Sequence, residues 1–396
     1  MTNPEKLPRL RLQKGREKRV KSGHPWVFSN ELQEIPALAP GVLVAVDDPG
    51  GEPLGIGYYS PRTLIAVRWL QRGGNPVLPE RWLEDSLERA MARRRELYPG
   101  EDCVRLVFGE ADALPGLVVD RYGASLVLQT LTAGMELLRP RVEPALLAMT
   151  GCKVLVRKDD NPMRELEGLH RAVQEVPEGS PLKASVSYLG LALTVPLVDG
   201  QKTGLFLDQR ENVRAFLGRL APGAAVLDAF CYQGVWGMAA LKSGAASCEF
   251  ADASMAACEG VEASLKANAL PESEIHNGDA FDVLGALKAA GKTFDAVVCD
   301  PPAFAKSKKH LKEALKGYGR LNQLALGLVK PGGLLVACSC SHHVSREDFR
   351  EVLREAAVRA RREVQLLEFR GAAPDHPVML SFPEGDYLKA AFLRVT

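Results

Sequence analysis

The chain has no Cys-x-x-Cys pair, no signal-like leader, no long apolar run and almost no net charge. Eight cysteines scattered over 396 residues without framework spacing exclude a disulfide scaffold and suggest reduced thiols in a cytoplasmic setting. Cys338-x-Cys340 is too tight for a usual zinc pair, and His342-His343 beside it is a weak hint, so no metal is expected. The amino terminus, M-T-N-P-E-K, lacks an apolar core, and no segment reaches membrane-spanning length, so no membrane partner is expected. A formal net charge of +1 by itself argues neither for nor against nucleic acid. Internal repeats and low-complexity tracts are also absent.

What is present is an ordinary globular mix, 46% hydrophobic and 25% charged, long enough for two or three domains, each with its own core. Charge is uneven along the chain. Lys6, Arg9, Arg11, Lys14, Arg16, Lys18, Arg19 and Lys21 face only Glu5 and Glu17. A second basic cluster, Lys306, Lys308, Lys309, Lys312, Lys316 and Arg320, faces Glu313. One-sign clusters attract anionic partners, although each is also what a solvated face looks like.

Three regions separate by pattern. Residues 1–75 hold short β-rich runs at Val42, Leu54 and Leu64 between turns, which predicts a small β-barrel. Residues 76–189 open on a helix with Leu83, Leu87, Met91 and Leu97 on one face. Strands at Val104, Leu117, Ser125 and Lys153 follow, an α+β pattern without readable chemistry. Residues 190–396 alternate regularly. Leu191–Leu197 reads as a strand, and Asp208 with Glu211 reads as a capping box. Seven strand–helix units then predict a doubly wound α/β sheet of seven strands.

The chemistry sits at strand ends. D-A-F-C-Y-Q-G-V-W-G follows the first of the seven strands and lacks the first two glycines of the G-x-G-x-x-G dinucleotide fingerprint. That departure argues against a nicotinamide cofactor and for S-adenosylmethionine, which needs no pyrophosphate cradle. Gly234 would let backbone approach the ligand. Asp228, Asp252 and Asp279 end three successive strands and suit the amino-acid end, ribose hydroxyls and adenine of that cofactor; singly, each reads as a helix cap. Ala229, Phe230, Ser254 and Ala280 flank them and complete the expected cradle. Asp300-Pro301-Pro302-Ala303-Phe304 ends the fourth strand, with Asp300 and Pro301 beside the pocket and Phe304 placed to stack on a flipped base. Gly333–Ala337 leads into C-S-C-S, where Cys340 is the candidate nucleophile. Carbon 5 of cytosine is too poor a nucleophile for direct methylation, and a thiolate adding at carbon 6 activates it. Cys338, earlier on the same strand, is the weaker candidate, and a buried structural cysteine is the competing reading.

Together these motifs resemble the large-subunit ribosomal RNA cytosine-5 methyltransferases that carry a PUA domain. The likeness rests on G-H-P-W-V-F-S-N-E at Gly23 and F-G-E-A-D-A-L-P-G-L-V-V-D-R-Y-G at Phe108. Q-K-T-G-L-F-L-D-Q-R at Gln201, D-P-P-A-F, S-C-S, D-H-P at Asp375 and P-E-G-D-Y-L-K at Pro383 extend it along the chain. The resemblance implies a PUA RNA-binding barrel (1–75), a central α+β RNA-recognition domain (76–189) and a Rossmann-like class I methyltransferase domain (190–396). It implies Cys340 as nucleophile with Asp300 at the target base. RNA contacts are expected from Lys14, Arg16, Arg19, Trp26, Lys202, Phe206, Arg210, Phe304 and Lys306, with large-subunit ribosomal RNA as partner. Ala303 stands where many RNA cytosine-5 enzymes have a second cysteine, which implies a single-cysteine mechanism with the proton-abstracting base unassigned. Cys231 is a decoy thiol or a passive loop residue. Whether two copies form a homodimer stays open.

Two other readings compete. D-P-P loops also orient exocyclic amines, so an amino-group methyltransferase acting on guanine N2 or adenine N6 would fit without a nucleophilic cysteine. A non-catalytic RNA-binding or ribosome-assembly protein with a vestigial pocket is the third, against which the Asp228, Asp252 and Asp279 series weighs.

Overall fold

Alternating apolar residues and turn glycines produce the first sheet. The computed structural model describes residues 7–74, 77–305 and 307–396. Strands β1 (Arg9–Arg11), β2 (Trp26–Phe28), β3 (Leu43–Asp47), β4 (Pro53–Tyr59) and β5 (Ile65–Arg72) form one sheet in the order β1-β3-β4-β5-β2, with the short helix α1 (Glu17–Lys21) between β1 and β2. A bridge between Leu12 and Leu32, just past the two edge strands, curls it toward closure. Val27, Val44, Val46, Tyr59, Val67 and Trp69 fill its interior.

Helix α2 (Trp82–Leu97) buries Leu83, Leu87 and Met91. Leu97 is a correction: it is exposed, and the last turn instead buries Arg94, whose guanidinium donates to Asp112 at 2.6 Å and to the Asp375 carbonyl at 2.8 Å. Strands β6 (Cys103–Phe108), β7 (Leu117–Tyr122), β8 (Ser125–Thr130), β9 (Val154–Asp159) and β10 (Ala172–Val176) make a second sheet in sequential order. Helix α3 (Ala133–Thr150), with Pro140 and Pro144 inside it, crosses between β8 and β9, the sheet's parallel pair, and α4 (Met163–Leu166) precedes β10. A hairpin of β11 (Lys183–Tyr188) and β12 (Leu191–Pro196) follows, so the strand at Leu191 pairs there and stays out of the large sheet.

The large sheet has seven strands: β13 (Ala225–Ala229), β14 (Ser247–Asp252), β15 (Ile275–Asn277), β16 (Phe294–Cys299), β17 (Val329–Ser339), β18 (Val364–Arg370) and β19 (Lys389–Val395). Their order is β15-β14-β13-β16-β17-β19-β18, parallel throughout except that β19 runs antiparallel to both neighbours. Among the described residues six helices accompany it: α5 (Arg210–Leu217), α6 (Val235–Lys242), α7 (Met255–Ala267), α8 (Ala280–Ala289), α9 (Leu311–Leu328) and α10 (Arg346–Ala360). This is the expected Rossmann-like arrangement. The strand order reverses between β13 and β16, the position where open α/β sheets bind ligands beyond their carboxyl ends. The Asp208–Glu211 capping box does not form. A 3-10 turn, Leu207–Gln209, leads into α5, and Asp208 instead accepts the Tyr387 hydroxyl.

By internal packing the chain divides into two units. One comprises residues 1–186, 195–207 and 374–385; the other comprises 187–194, 208–373 and 386–396.

Candidate active site

The site is set by strand register. Ala251, Ala229, Cys299 and Ala337 lie in one row across β14, β13, β16 and β17. The residues that follow in those strands therefore emerge at the same rim: Asp252, Phe230, Asp300 and, three positions past Ala337, Cys340.

Asp228 sits one step inside that rim and is fully buried. Its Oδ2 accepts the Gly237 amide at 2.9 Å, while Oδ1 has no partner among the described residues. Burial, with repulsion from Asp300 and Asp252, pushes its carboxyl up to about 8. An orphaned buried carboxylate oxygen at a sheet's switch point is matched by a ligand ammonium. Asp252 is half-buried; it accepts the Tyr232 amide and the Ser254 amide, each at 2.9 Å, and keeps lone pairs for a diol. The amino-acid and ribose ends of S-adenosylmethionine therefore fit the residues present.

The loop after β13 bends hard. Phe230 and Tyr232 have φ of +62° and +47°, left-handed values that non-glycine residues rarely adopt, and Gly234 follows at +68°. Gly234 and Gly237 are glycines for packing: a Cβ on Gly237 would lie 2.4 Å from Phe250, and one on Gly234 2.9 Å from Val261. They let α6 approach β14 and α7, a different role from exposing backbone to a ligand. Asp279 caps α8 through the Phe281 amide at 2.9 Å, and Ser254 caps α7, so the capping reading of Asp279 is realised. Ala229 and Ala280 are buried beside them.

At the other half of the rim, Cys340 is partly exposed and its thiol points to the Pro301 carbonyl at 3.8 Å. The other seven cysteines are buried. Burial raises the thiols of Cys231, Cys248, Cys299 and Cys338 well above the ordinary value, which leaves Cys231 and Cys338 inert. Two groups the sequence reading passed over stitch the motifs together. Ser341 accepts the Ala305 amide at 3.1 Å and lies 2.9 Å from the Tyr318 hydroxyl, tying the S-C-S end to the D-P-P-A-F loop. Gln209 donates to Asp300 at 3.0 Å and is itself oriented by Asn212 at 2.6 Å, which Arg370 holds at 3.0 Å. Gln209 lies inside Q-K-T-G-L-F-L-D-Q-R, where a neutral amide beside Arg210 carries no sign of its role until Asp300 is placed opposite it.

Several expected RNA contacts are placed otherwise. Arg210 is fully buried over the Tyr188 ring at 5.0 Å, so it offers no surface to RNA. Phe304 is half-buried against Tyr318, with ring centroids 4.5 Å apart, instead of standing free to stack. Lys306 lies outside the described residues. Lys312, Lys316 and Arg320 are exposed on successive turns of α9, one basic stripe.

Within the other unit, Lys14 and Arg16 are exposed. Arg19 is engaged internally, donating to Glu31 at 3.1 and 2.6 Å and stacking on Phe28 at 4.3 Å. Trp26 donates to Glu110 at 2.8 Å and packs edge-on to Phe382 at 4.6 Å, so two of the motifs meet beside Phe382, the residue before a third. This explains the motifs structurally and removes Arg19 and Trp26 as free contacts. Lys202, exposed, lies 4.7 Å over the Phe206 ring. Among the described residues no helix is long and apolar enough to cross a membrane.

Comparison with known proteins agrees with this geometry. Residues 10–72 match a PUA-like domain, and residues 128–390 match the S-adenosylmethionine-dependent methyltransferase family. A protein of Shewanella denitrificans named ribosomal RNA large subunit methyltransferase I is 38% identical, covering 98% of this chain and 99% of that one. One of the same name from Photobacterium profundum is 37% identical over 96% and 97% of the two chains. A solved methyltransferase from Streptococcus mutans shares the fold at a TM-score of 0.83 and 20% identity, covering 98% of this chain and all of that one. Another, solved with S-adenosylhomocysteine, has a TM-score of 0.84 and 21% identity, with 98% of this chain and all of that one covered. The chain therefore belongs to the S-adenosylmethionine-dependent methyltransferases, with S-adenosylmethionine as cofactor and a PUA-like domain at residues 10–72.

Proposed function

We propose that the chain methylates carbon 5 of a cytosine in large-subunit ribosomal RNA through a covalent adduct with Cys340. The observation that carries this reading is the thiol itself. Of eight cysteines, the one at the rim beside the D-P-P loop is the one that is not buried. The names of the relatives support the substrate class.

In this reading Asp228 holds the cofactor's ammonium and Asp252 its ribose, with Ala229, Phe230, Gly234, Ser254, Asp279, Ala280 and Pro301 around them. The cofactor supplies an electrophilic methyl group on a sulfonium. The Cys340 thiolate adds to carbon 6 of the ring, forming a carbon–sulfur bond and placing electron density on carbon 5. Once carbon 5 carries the methyl, its proton leaves to a base and the carbon–sulfur bond breaks, returning the thiolate. Asp300, fixed by Gln209, faces the base's exocyclic amine or ring nitrogen. A target cytosine in structured RNA must be extruded or unpaired to reach this rim.

RNA binding is assigned to three regions: a barrel domain over residues 1–75, a recognition domain over 76–189 and the face of α9 in the methyltransferase domain, 190–396. Of the cations expected to meet RNA there, Lys14, Arg16 and Lys202 are exposed.

The test is Cys340→Ala, assayed for methyl transfer to large-subunit rRNA and for S-adenosylmethionine binding by calorimetry. The variant is expected to bind cofactor normally and transfer no methyl group. Normal transfer would reassign the chain to amino-group methylation, and absent cofactor binding in the unaltered chain would favour a vestigial pocket.

A further inference from the structure

We propose that Lys389 is a positioning residue for Cys340: its buried ammonium, delivered by β19 to the end of β17, holds the thiol ionised and aligned. This deepens the covalent reading and rests on it.

β19 is antiparallel to β17, and Lys389 pairs with Ser339, the last residue of that strand. Lysine is among the least suitable residues for such a place, yet Lys389 is 1% exposed. Its Nζ donates to the Ser341 carbonyl at 2.7 Å and to the Tyr387 carbonyl at 2.8 Å. Ser341 adjoins Cys340, so the ammonium grips the backbone that carries the thiol. A structural strut of this length could be apolar; an ammonium adds charge where the nucleophile must lose a proton.

Burial pushes Lys389 down to about 8, while the charges of Cys340 and Asp386 pull it back up. That coupling is mutual: a thiolate favours the ammonium, and the ammonium favours the thiolate. Arg346 is a second cation whose charge reaches Lys389, and it lowers it. Asp386 forms a two-pronged pair with Arg346 at 2.8 and 3.0 Å. Tyr318 from α9 and Cys338 on β17 are raised by burial and stay neutral. Asp300 at the end of β16 is held by Gln209, and its charge adds to the rise of the Cys338 thiol. His342 stacks near Tyr387 at 5.2 Å.

The experiment is iodoacetamide labelling of the full chain across pH, with carbamidomethylation of the Cys340 peptide followed by mass spectrometry. In the unaltered protein the midpoint is expected below the ordinary thiol value of about 8.5; a midpoint at or above it overturns the proposal whatever the variants do. Lys389→Met is expected to move the midpoint up by about one pH unit or more, a tenfold loss of thiolate at neutral pH, and Lys389→Arg to restore most of it. Equal midpoints in all three proteins, each shown folded by S-adenosylmethionine binding, also overturn it. Because labelling involves no RNA, this result is independent of Cys340→Ala, which tests the methylation reading itself.

Discussion

Asp228 Oδ2 accepts the Gly237 amide at 2.9 Å, while Oδ1 of the same buried carboxyl faces no partner among the described residues. The pair joins the end of β13 to the first turn of α6 and leaves one oxygen for a cation. With its carboxyl at about 8, the folded chain retains a proton that the unfolded chain releases near its ordinary value of about 4. Stability from this group is thus full at acid pH and is lost as pH rises from about 4 through about 8. Asp228→Asn should flatten that decline in the melting temperature of the cofactor-free protein. It should also weaken S-adenosylmethionine by roughly tenfold or more, as loss of a charge-assisted bond demands. Unchanged affinity by calorimetry would remove Asp228 from the cofactor site.

Gly237 has no room to grow. A methyl group there would lie 2.4 Å from Phe250 and 2.5 Å from the Cys248 sulfur, so α6 must move off β14. Gly237→Ala should cost about 1–3 kcal/mol by overpacking, read as a lower midpoint in urea with unchanged slope.

The stripe on α9 should answer to charge. Replacing Lys312, Lys316 and Arg320 together by Glu changes three exposed side chains, of which Arg320 also covers the Phe281 ring at 5.2 Å. RNA affinity should fall, and the slope of log K against log salt should flatten by about 2, taking roughly 0.7 per single-strand phosphate contact. Cofactor binding should hold. An unaltered salt slope would clear α9 of any role on the RNA backbone.

Thiol reactivity offers a fourth check. Under native conditions a brief alkylation should modify Cys340 and spare the seven buried thiols. Mass spectrometry of intact protein should then show a single adduct, absent from Cys340→Ala. Rapid labelling of Cys338 or Cys231 would contradict the burial that silences them.

Much of this was legible in the chain. The seven strands announced themselves because buried parallel strands read as short apolar runs between helices, and the register of those runs put Asp228, Asp252, Asp300 and Cys340 at one end. The cysteine stood out because it lay past a strand terminus instead of within one. What escaped was everything decided by long-range packing. Arg210 and Arg19 look like surface cations in sequence, yet burial over Tyr188 and a paired Glu31 claim them. Trp26 meets Glu110, 84 residues on, and Phe382 far beyond it, which no local pattern records. Gln209, Ser341 and Lys389 were missed because a neutral or lone polar residue signals nothing until its partner is known. Asp208 and Glu211 had cap spacing, but a 3-10 turn and the Tyr387 hydroxyl took the position.

The chain changes unit five times, after Val186, Thr194, Leu207, Ala373 and Gly385. No single cut can therefore divide the polypeptide into two self-sufficient pieces. A fragment ending at Val186 would strand Arg94 without the Asp375 carbonyl it serves, and one starting at Asp208 would omit Ser187–Thr194. Dissection of this protein should proceed by substitution within the intact polypeptide, since each such truncation removes a segment that belongs to the unit left behind.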